Sequence, residues 1–393
     1  MQWLWWIILA VGCAEWVVTL INRVHGLPVR ERRLRHVRHL QEALLVIVPW
    51  TVFLGLLIHS RELMHSFLPE DRSPNSWFVA NFTGLQGWIS IIGMSGFIGL
   101  MISMWRFHFG RVPKSLLLNH ATTVDVEKKL GHKPLGHGPY RWMARFPRNE
   151  IFRVQIGEKH FRLPRLPKEW AGLSIVHLTD MHFIGTIRKS YFEQICEIAE
   201  RMQPNLFVFT GDLLDDQSLA EWLPETLGRL KAPLGCRYIL GNHDWNLDVQ
   251  PIRDKMNRLG WIDVSGRSES IRYRDKEMII GGTELPWMGE HPDFSGCNSE
   301  AFRLLLSHTP DNLAWARREK IDLMLSGHNH GGQVILPFIG PVFSPSLHGV
   351  RYAGGVYDVP PTLLYVSRGL SSRYPLRWNC PPELTKLVLH PAR

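Results

Sequence analysis

The first third of the chain is built from long apolar runs and the remainder from short ones. Trp3 to Ile21 is an apolar run of about 19 residues with Glu15 its only charge, near the length a helix needs to cross a bilayer's hydrocarbon core. A second run covers Ala43 to Ile58 with Pro49 inside it, and a third covers Trp88 to Trp105. Trp3, Trp5, Trp6, Trp88 and Trp105 lie at run ends, where amphipathic rings prefer the headgroup region. No Lys or Arg precedes the first run, which argues against a cleaved signal peptide. The pattern predicts a transmembrane helical region over residues 1–105 with about three spans, at 3–21, 43–58 and 88–105.

Residues 106–148 are polar and punctuated by Gly and Pro, as in Gly131-His132-Lys133-Pro134, and are expected to form a juxtamembrane linker. From Asn149 onward short apolar runs alternate with helical stretches. Strands are predicted at Leu173–Leu178, Leu206–Phe209, Tyr238–Leu240, Met278–Ile280, Leu304–Leu306, Leu323–Leu325 and Leu363–Val366. Helices are predicted at Arg188–Met202, Leu219–Leu230, Val249–Leu259 and Asp311–Lys320. Continuous apolar strands separated by helices predict an α/β domain over 149–393 whose sheets are covered on both faces.

The net charge of +9, from 45 Lys+Arg against 36 Asp+Glu, invites a nucleic-acid partner. Its distribution removes most of that case. Residues 1–145 carry 16 basic and 8 acidic residues, whereas residues 146–393 carry 29 and 28. The excess flanks the apolar runs: Arg23, Arg30, Arg32, Arg33, Arg35 and Arg38 follow the first, and Arg106, Arg111 and Lys114 follow the third. Between the second and third, Arg61 and Arg72 are outnumbered by Glu62, Glu70 and Asp71. Positive loops stay inside. The expectation is a multi-pass protein of the plasma or inner membrane, its N-terminus outside and its C-terminal part in the cytoplasm. The lipid bilayer is then a partner, and nucleic acid is not expected, because a net charge of +1 gives the C-terminal part no broad basic footprint. The five cysteines are scattered without a CxxC spacing, which argues against a disulfide framework and a thiolate zinc site. Gly93, Gly96 and Gly99 offer a close helix contact without fixing an oligomeric state.

In α/β folds functional residues collect beyond the C-terminal ends of strands. Five predicted strands end in Asp, Asn or His: Asp180-Met181-His182, Gly211-Asp212, Gly241-Asn242-His243-Asp244, His308, and Gly327-His328-Asn329-His330. Imidazole and carboxylate without thiolate suit borderline or hard divalent metals such as Mn, Fe or Zn. Each block alone is weak, since Gly-Asp is usually a turn and a lone histidine is usually a satisfied core or loop residue. Gly-Asn-His-Asp is the informative one.

In this order the blocks resemble the calcineurin-like metallophosphoesterases, over roughly residues 149–393. Leu163-Pro164 to Gly172 and Val366-Ser367-Arg368-Gly369-Leu370 resemble that family's membrane-associated branch. The resemblance implies a four-layer αββα sandwich with two divalent metal ions between the sheet ends. It also implies that Asp180, His182 and His330 hold one metal, that Asn242, His308 and His328 hold the other, and that Asp212 bridges them. Two metals can share a hydroxide and clamp the oxygens of a phosphoryl group during displacement. His243 is expected to face the substrate and act as a catalytic acid or charge stabiliser, with Asp244 orienting its ring or, alternatively, capping a turn.

The functional expectation is a membrane-anchored hydrolase of a phosphodiester, pyrophosphate or phosphomonoester, on a lipid-linked substrate. A metal-dependent nuclease and a catalytically silent membrane scaffold are the competing readings. Leu285-Pro286-Trp287-Met288 and Pro337-Phe338-Ile339 are candidate acyl contacts against a default of buried core. Arg373 and Arg377 are candidate phosphate contacts against a default of solvated surface.

Overall fold

The computed structural model describes residues 2–30, 40–41, 43–55 and 84–392. Arg32, Arg33, Arg35 and Arg38, the end of the predicted second span (56–58) and the loop charges from Arg61 to Arg72 lie outside the described residues.

Among the described residues two helices, Gln2–His25 and Gly84–Phe109, are long and apolar enough to cross a membrane, and Ala43–Gly55 is a shorter apolar helix. Both long helices extend past the predicted runs because nothing in the flanking sequence breaks them before Gly26 and Gly110. They meet through glycines. A Cβ on Gly12 would lie 1.7 Å from the Gly93 carbonyl oxygen, and one on Gly96 would lie 2.0 Å from that of Gly12. Trp16 Nε1 donates to the Ile92 carbonyl across the same crossing at 3.1 Å. Gly99 faces open space and takes no part. Both helices bring their C-terminal ends to the rest of the chain, at Asn22 beside Val342 and at His108 beside Phe338, so they run parallel.

The remainder is a sandwich of two sheets. One contains β1 (Leu116–Asp125), β2 (Arg153–Leu163), β3 (Leu173–Leu178), β4 (Leu206–Thr210), β5 (Cys236–Ile239) and β6 (Trp261–Asp263), with β15 (Glu383–Pro391) inserted between β2 and β3. The other contains β7 (Ser268–Tyr273), β8 (Lys276–Thr283), β9 (Phe302–Ser307), β10 (Leu323–Ser326), β13 (Gly355–Val359) and β14 (Thr362–Val366), in the order β13-β14-β10-β9-β8-β7. A small ribbon pairs β11 (Ile335–Leu336) with β12 (Gly340–Pro341). The strands β3, β4, β5 and β6 are mutually parallel, as are β8, β9, β10 and β14.

Strand periodicity builds the layers. Side chains two apart share a face, so Ile175, Leu206 and Val208 of the first sheet meet Ile280, Leu304, Leu306, Leu323 and Leu325 of the second in one inner core. The alternate residues Val176, Leu178, Phe207 and Phe209 face outward onto Tyr191, Phe192 and Ile195 of helix Lys189–Arg201 and Ile252 and Met256 of helix Val249–Arg258. On the far side, Ile279, Leu305 and Met324 pack with Leu313 and Ala316 of helix Leu313–Arg318. The result is the four-layer αββα sandwich.

Two expectations need correction. Residues 116–125 are no linker: β1 pairs antiparallel with β2 from Leu116 opposite Phe161 to Asp125 opposite Arg153, so the sandwich starts well before Asn149. As an edge strand β1 is mostly solvent-facing and carries no apolar alternation for a pattern to detect. The predicted helix Leu219–Leu230 is instead two short 3-10 turns, Gln217–Trp222 and Leu227–Arg229.

Candidate metal centre

The parallel strands of both sheets deliver their C-terminal ends to one point. Asp180 and His182 follow β3, Asp212 follows β4, and Asn242 and His243 follow β5. From the other sheet His308 follows β9, and His328 and His330 follow β10. Asp180, His182, Asp212, His328 and His330 all adopt positive φ, between 49° and 68°. That left-handed backbone costs a non-glycine residue about 1–2 kcal/mol, and it turns each side chain back over the strand ends. Glycine supplies the clearance. A Cβ on Gly241 would lie 2.3 Å from Asp212 Oδ1, and one on Gly327 would lie 2.2 Å from Asp180 Oδ2.

The donor atoms fall into two sets that share Asp212. In one, His182 Nε2 lies 3.5 Å from Asp212 Oδ2 and 3.3 Å from His330 Nε2, and His330 Nε2 lies 3.7 Å from Asp180 Oδ1. In the other, His308 Nε2 lies 3.2 Å from Asp212 Oδ2, 3.0 Å from Asn242 Oδ1 and 3.2 Å from His328 Nδ1. These residues can hold ions, as their tautomers show. His308 Nδ1 donates to the Thr210 carbonyl and His328 Nε2 to the Pro345 carbonyl, each at 2.7 Å. His182 Nδ1 donates to the Asp215 carboxylate at 2.8 Å. A neutral ring with one nitrogen so engaged turns a bare lone pair inward from the other. His308 Nε2 therefore faces three further acceptors, while Asp212 Oδ2 is buried without a hydrogen bond. Lone pairs facing one another at that distance repel, and a cation between them removes the repulsion. His330 differs: a guanidinium can only donate, so Arg377 at 3.2 Å holds the Nδ1 lone pair. Coordination through Nε2 requires the other tautomer.

With no ion between them, the crowded acceptors draw a proton onto His308 instead: burial opposes its charge, but Asp212 and Asp180 outweigh it and push its pKa up to about 9. A bound cation would take the place of that proton. Burial likewise opposes charge on Asp212, and the histidines around it hold its carboxyl well below the usual range. Burial, with the positive neighbours His308 and Arg377 adding to it, lowers His328 to about 3 and His330 well below its usual value.

His243 stands outside the two sets, half-buried, with Nε2 3.9 Å from Asp212 Oδ2. Its orienting carboxylate is not the expected one. Asp215 Oδ1 accepts from His243 Nδ1 at 2.6 Å, while its other oxygen holds His182. Asp244 points the opposite way and gathers the backbone N–H groups of Leu213, Leu214 and Gly241, so it clamps two strand-end turns together. Asp215, three residues after Asp212, is the residue that sequence reasoning missed. Its only signal was that spacing. Against burial, Asp215 and Asp212 push the His243 pKa up to about 10.

The remaining candidates separate. Trp287 is buried with its ring 4.9 Å from that of His328, and it lines the cavity over the centre. Phe338 is exposed, and its carbonyl accepts from His108 Nε2 at 2.7 Å, on the far helix rather than at the site. Arg373 lines the cavity 3.8 Å from Asp215 Oδ1. Arg377 is fully buried and donates to the carbonyls of His330, Arg368 and Ser371, which makes it a structural clasp.

Comparisons with known proteins decide the family. A profile for calcineurin-like phosphoesterases matches residues 173–332. The phosphodiesterase YaeI of Escherichia coli (strain K12) is 30% identical over 224 residues, 56% of this chain and 83% of that protein. The chain belongs to the calcineurin-like phosphoesterases. A transmembrane protein with a metallophosphoesterase domain from Danio rerio is 30% identical over 250 residues, 58% of this chain and 55% of that longer protein. The UDP-2,3-diacylglucosamine pyrophosphatase LpxG of Chlamydia muridarum (strain MoPn / Nigg) is 26% identical over 284 residues, 56% of this chain and 85% of that protein. This calcineurin-like protein is a metal-dependent phosphoester hydrolase, and its Asp and His cluster can bind divalent metals.

Proposed function

We propose that the protein is a membrane-anchored dimetal hydrolase that cleaves a phosphodiester, pyrophosphate or phosphomonoester bond in a lipid-linked substrate at the cytoplasmic membrane face. The observation that carries the dimetal reading is the pair of donor sets sharing the hydrogen-bond-free Oδ2 of Asp212. Asp180, His182 and His330 would hold one ion, Asn242, His308 and His328 the other, with Asp212 common to both. When bound, divalent ions of the Mn, Fe or Zn type supply Lewis acidity toward water and toward phosphoryl oxygens. The chain itself supplies the proton. Asp215 fixes the Nδ1 of His243, and its Nε2 is left facing the site, where it would donate to the departing oxygen.

Helix geometry supports the membrane part. The end of helix Gln2–His25 meets the sandwich where Asn22 donates to the Val342 carbonyl at 3.0 Å, and the end of Gly84–Phe109 meets it at His108. On this reading two parallel spans that both end at the catalytic domain are joined by one further crossing, and the apolar helix Ala43–Gly55 supports it. Arg23, Arg106, Arg111 and Lys114 cluster at the catalytic end, which favours the cytoplasmic side. The substrate named for the Chlamydia relative is acylated, which supports a lipid-linked phosphoester here.

The test is hydrolysis of a generic phosphodiester by the full chain in detergent, stripped of metal and reloaded with Mn²⁺. Asp212→Asn should lower the rate by about a thousandfold or more and reduce bound metal. Full activity in that variant would refute the reading.

A further inference from the structure

The cavity over the metal centre does not end within the sandwich. It encloses about 580 Å³, and its wall passes from His182, His243 and His330 to Ile21 and Leu27 at the end of the first helix and Leu45 on helix Ala43–Gly55. Phe343 lines the same cavity, with its ring against that of His25. The docking of the helix end is specific. Asn22 is 2% exposed; its amide donates to the Val342 carbonyl and accepts the Ser344 N–H at 2.9 Å. His25 sets its ring edge against Phe343, with centroids 5.7 Å apart, and Arg30 lies over the Trp245 ring at 5.2 Å.

Beyond Leu45 the apolar surface continues away from the site. Val46 is 60% exposed and Trp50 59% on the same helix, and Leu20 is 55% exposed on the first. The cavity thus has a polar floor and a mainly apolar roof, broken by His25 and Gln41, which satisfy each other at 3.0 Å, and the roof is continuous with surfaces that face outward from the proposed membrane helices. A hydrated, purely polar substrate gains nothing from such a roof. For an amphiphile it changes the energetics, because hydrocarbon lifted through water costs free energy in proportion to the area wetted. A roof that meets the bilayer lets the head reach the metals while the tail stays in apolar contact.

We propose that Leu27, Leu45 and Phe343 form the tail site of an acylated phosphoester, which enters the cavity head first from the bilayer. This rests on the lipid-linked reading above and specifies which residues select the lipid. The experiment compares methyl 4-nitrophenyl phosphate with hexadecyl 4-nitrophenyl phosphate, two diesters that release the same 4-nitrophenolate and differ only in tail. The full chain is assayed in mixed micelles with Mn²⁺, and Leu27→Glu and Leu45→Glu are measured beside it. The wild type should prefer the hexadecyl ester by roughly tenfold or more in kcat/KM. Each variant should lose most of that preference through KM while its rate on the methyl ester stays within about twofold. Equal kcat/KM for both esters in the wild type, or variants that lose both esters alike, would overturn the tail site and leave the hydrolase intact. No hydrolysis of either ester would overturn the hydrolase reading itself. A hexadecyl diazirine photoprobe serves as a readout independent of catalysis. It should label residues 20–30 and 43–55, with labelling removed by excess hexadecyl ester; labelling confined to other segments counts against the site.

Discussion

Leucine, isoleucine and tryptophan do opposite things in the two halves of this molecule. In the sandwich Leu304, Leu306, Leu323 and Leu325 are wholly buried between sheets. On helix Gly84–Phe109, Trp88 is 67% and Ile98 51% exposed, with Ile91, Ile102 and Trp105 beside them. An apolar surface of that extent is costly in water and costs nothing in lipid. Polar groups show the inverse pattern. Asp180, Asp212 and His308 are buried at the sheet ends, where hydrogen bonds to backbone groups meet part of their need and Asp212 Oδ2 is left without one. One half presents its apolar side chains outward, as the proposed membrane anchor requires, and the other gathers polar side chains inward around the candidate metal centre. Asn22 and the 342–345 segment are where the two meet.

After Asp212→Asn, the hardest blow to the polar half is Asp215→Asn. Asp215 accepts from two imidazoles at once, and an amide offers a single acceptor oxygen, so His182 or His243 loses its fixed tautomer. Hydrolysis of a soluble diester should fall by about a hundredfold, the upper range for carboxylates behind a metal-bound histidine. A pH signature accompanies it in metal-free protein. The His243 pKa is raised to about 10 in the fold, against about 6.5 unfolded. Its contribution to stability is therefore complete below pH ~6.5 and lost as pH rises through about 10. Denaturant titrations of the EDTA-treated protein should show stability falling across that window. In Asp215→Asn the slope should flatten, and an unchanged slope would remove Asp215 from the role assigned to it.

Asn22→Ala probes the junction with a smaller expected effect. Asn22 holds Val342 and Ser344, and the next residue's carbonyl, that of Pro345, accepts from His328 Nε2. Loss of the clasp should loosen one histidine of the second donor set, with affinity for the second ion down by about tenfold and diester hydrolysis down less. Equilibrium dialysis against Zn²⁺ measures the affinity directly. Two ions bound with wild-type affinity would reduce the helix to an anchor.

The legible and illegible parts of this structure divide along sequence distance. Asp180, His182, Asp212, Asn242, His308, His328 and His330 could be picked out because each closes a short buried strand, a local pattern. Asp215 follows Asp212 by three residues in Leu213-Leu214-Asp215-Asp216, which resembles any acidic turn. Asp244 misled for a related reason: neighbours in sequence point in different directions, and adjacency to His243 says little about contact. The first sheet hid β15, which joins β2 and β3 from the far end of the chain. The roof of the cavity hid too, since Ile21 and Leu45 belong to apolar runs, and the hydropathy of a run carries nothing about docking.

The apolar half can be broken alone, and the effect on chemistry should be the smallest. Gly12 admits no side chain, because its Cβ would fall 1.7 Å from the Gly93 carbonyl oxygen and 2.7 Å from the Phe97 nitrogen. Gly12→Val must push the two helices apart and pull Trp16 from the Ile92 carbonyl, with a cost of about 1–3 kcal/mol by analogy with overpacked cores. Gly99→Val is the matched control, because its Cβ meets nothing within 4 Å. In detergent Gly12→Val should unfold several degrees lower, while Gly99→Val should match wild type. Both should hydrolyse a soluble diester within about twofold of wild type, since neither touches the strand ends that hold the donors. A silent Gly12→Val would mean that the helices do not cross at these glycines.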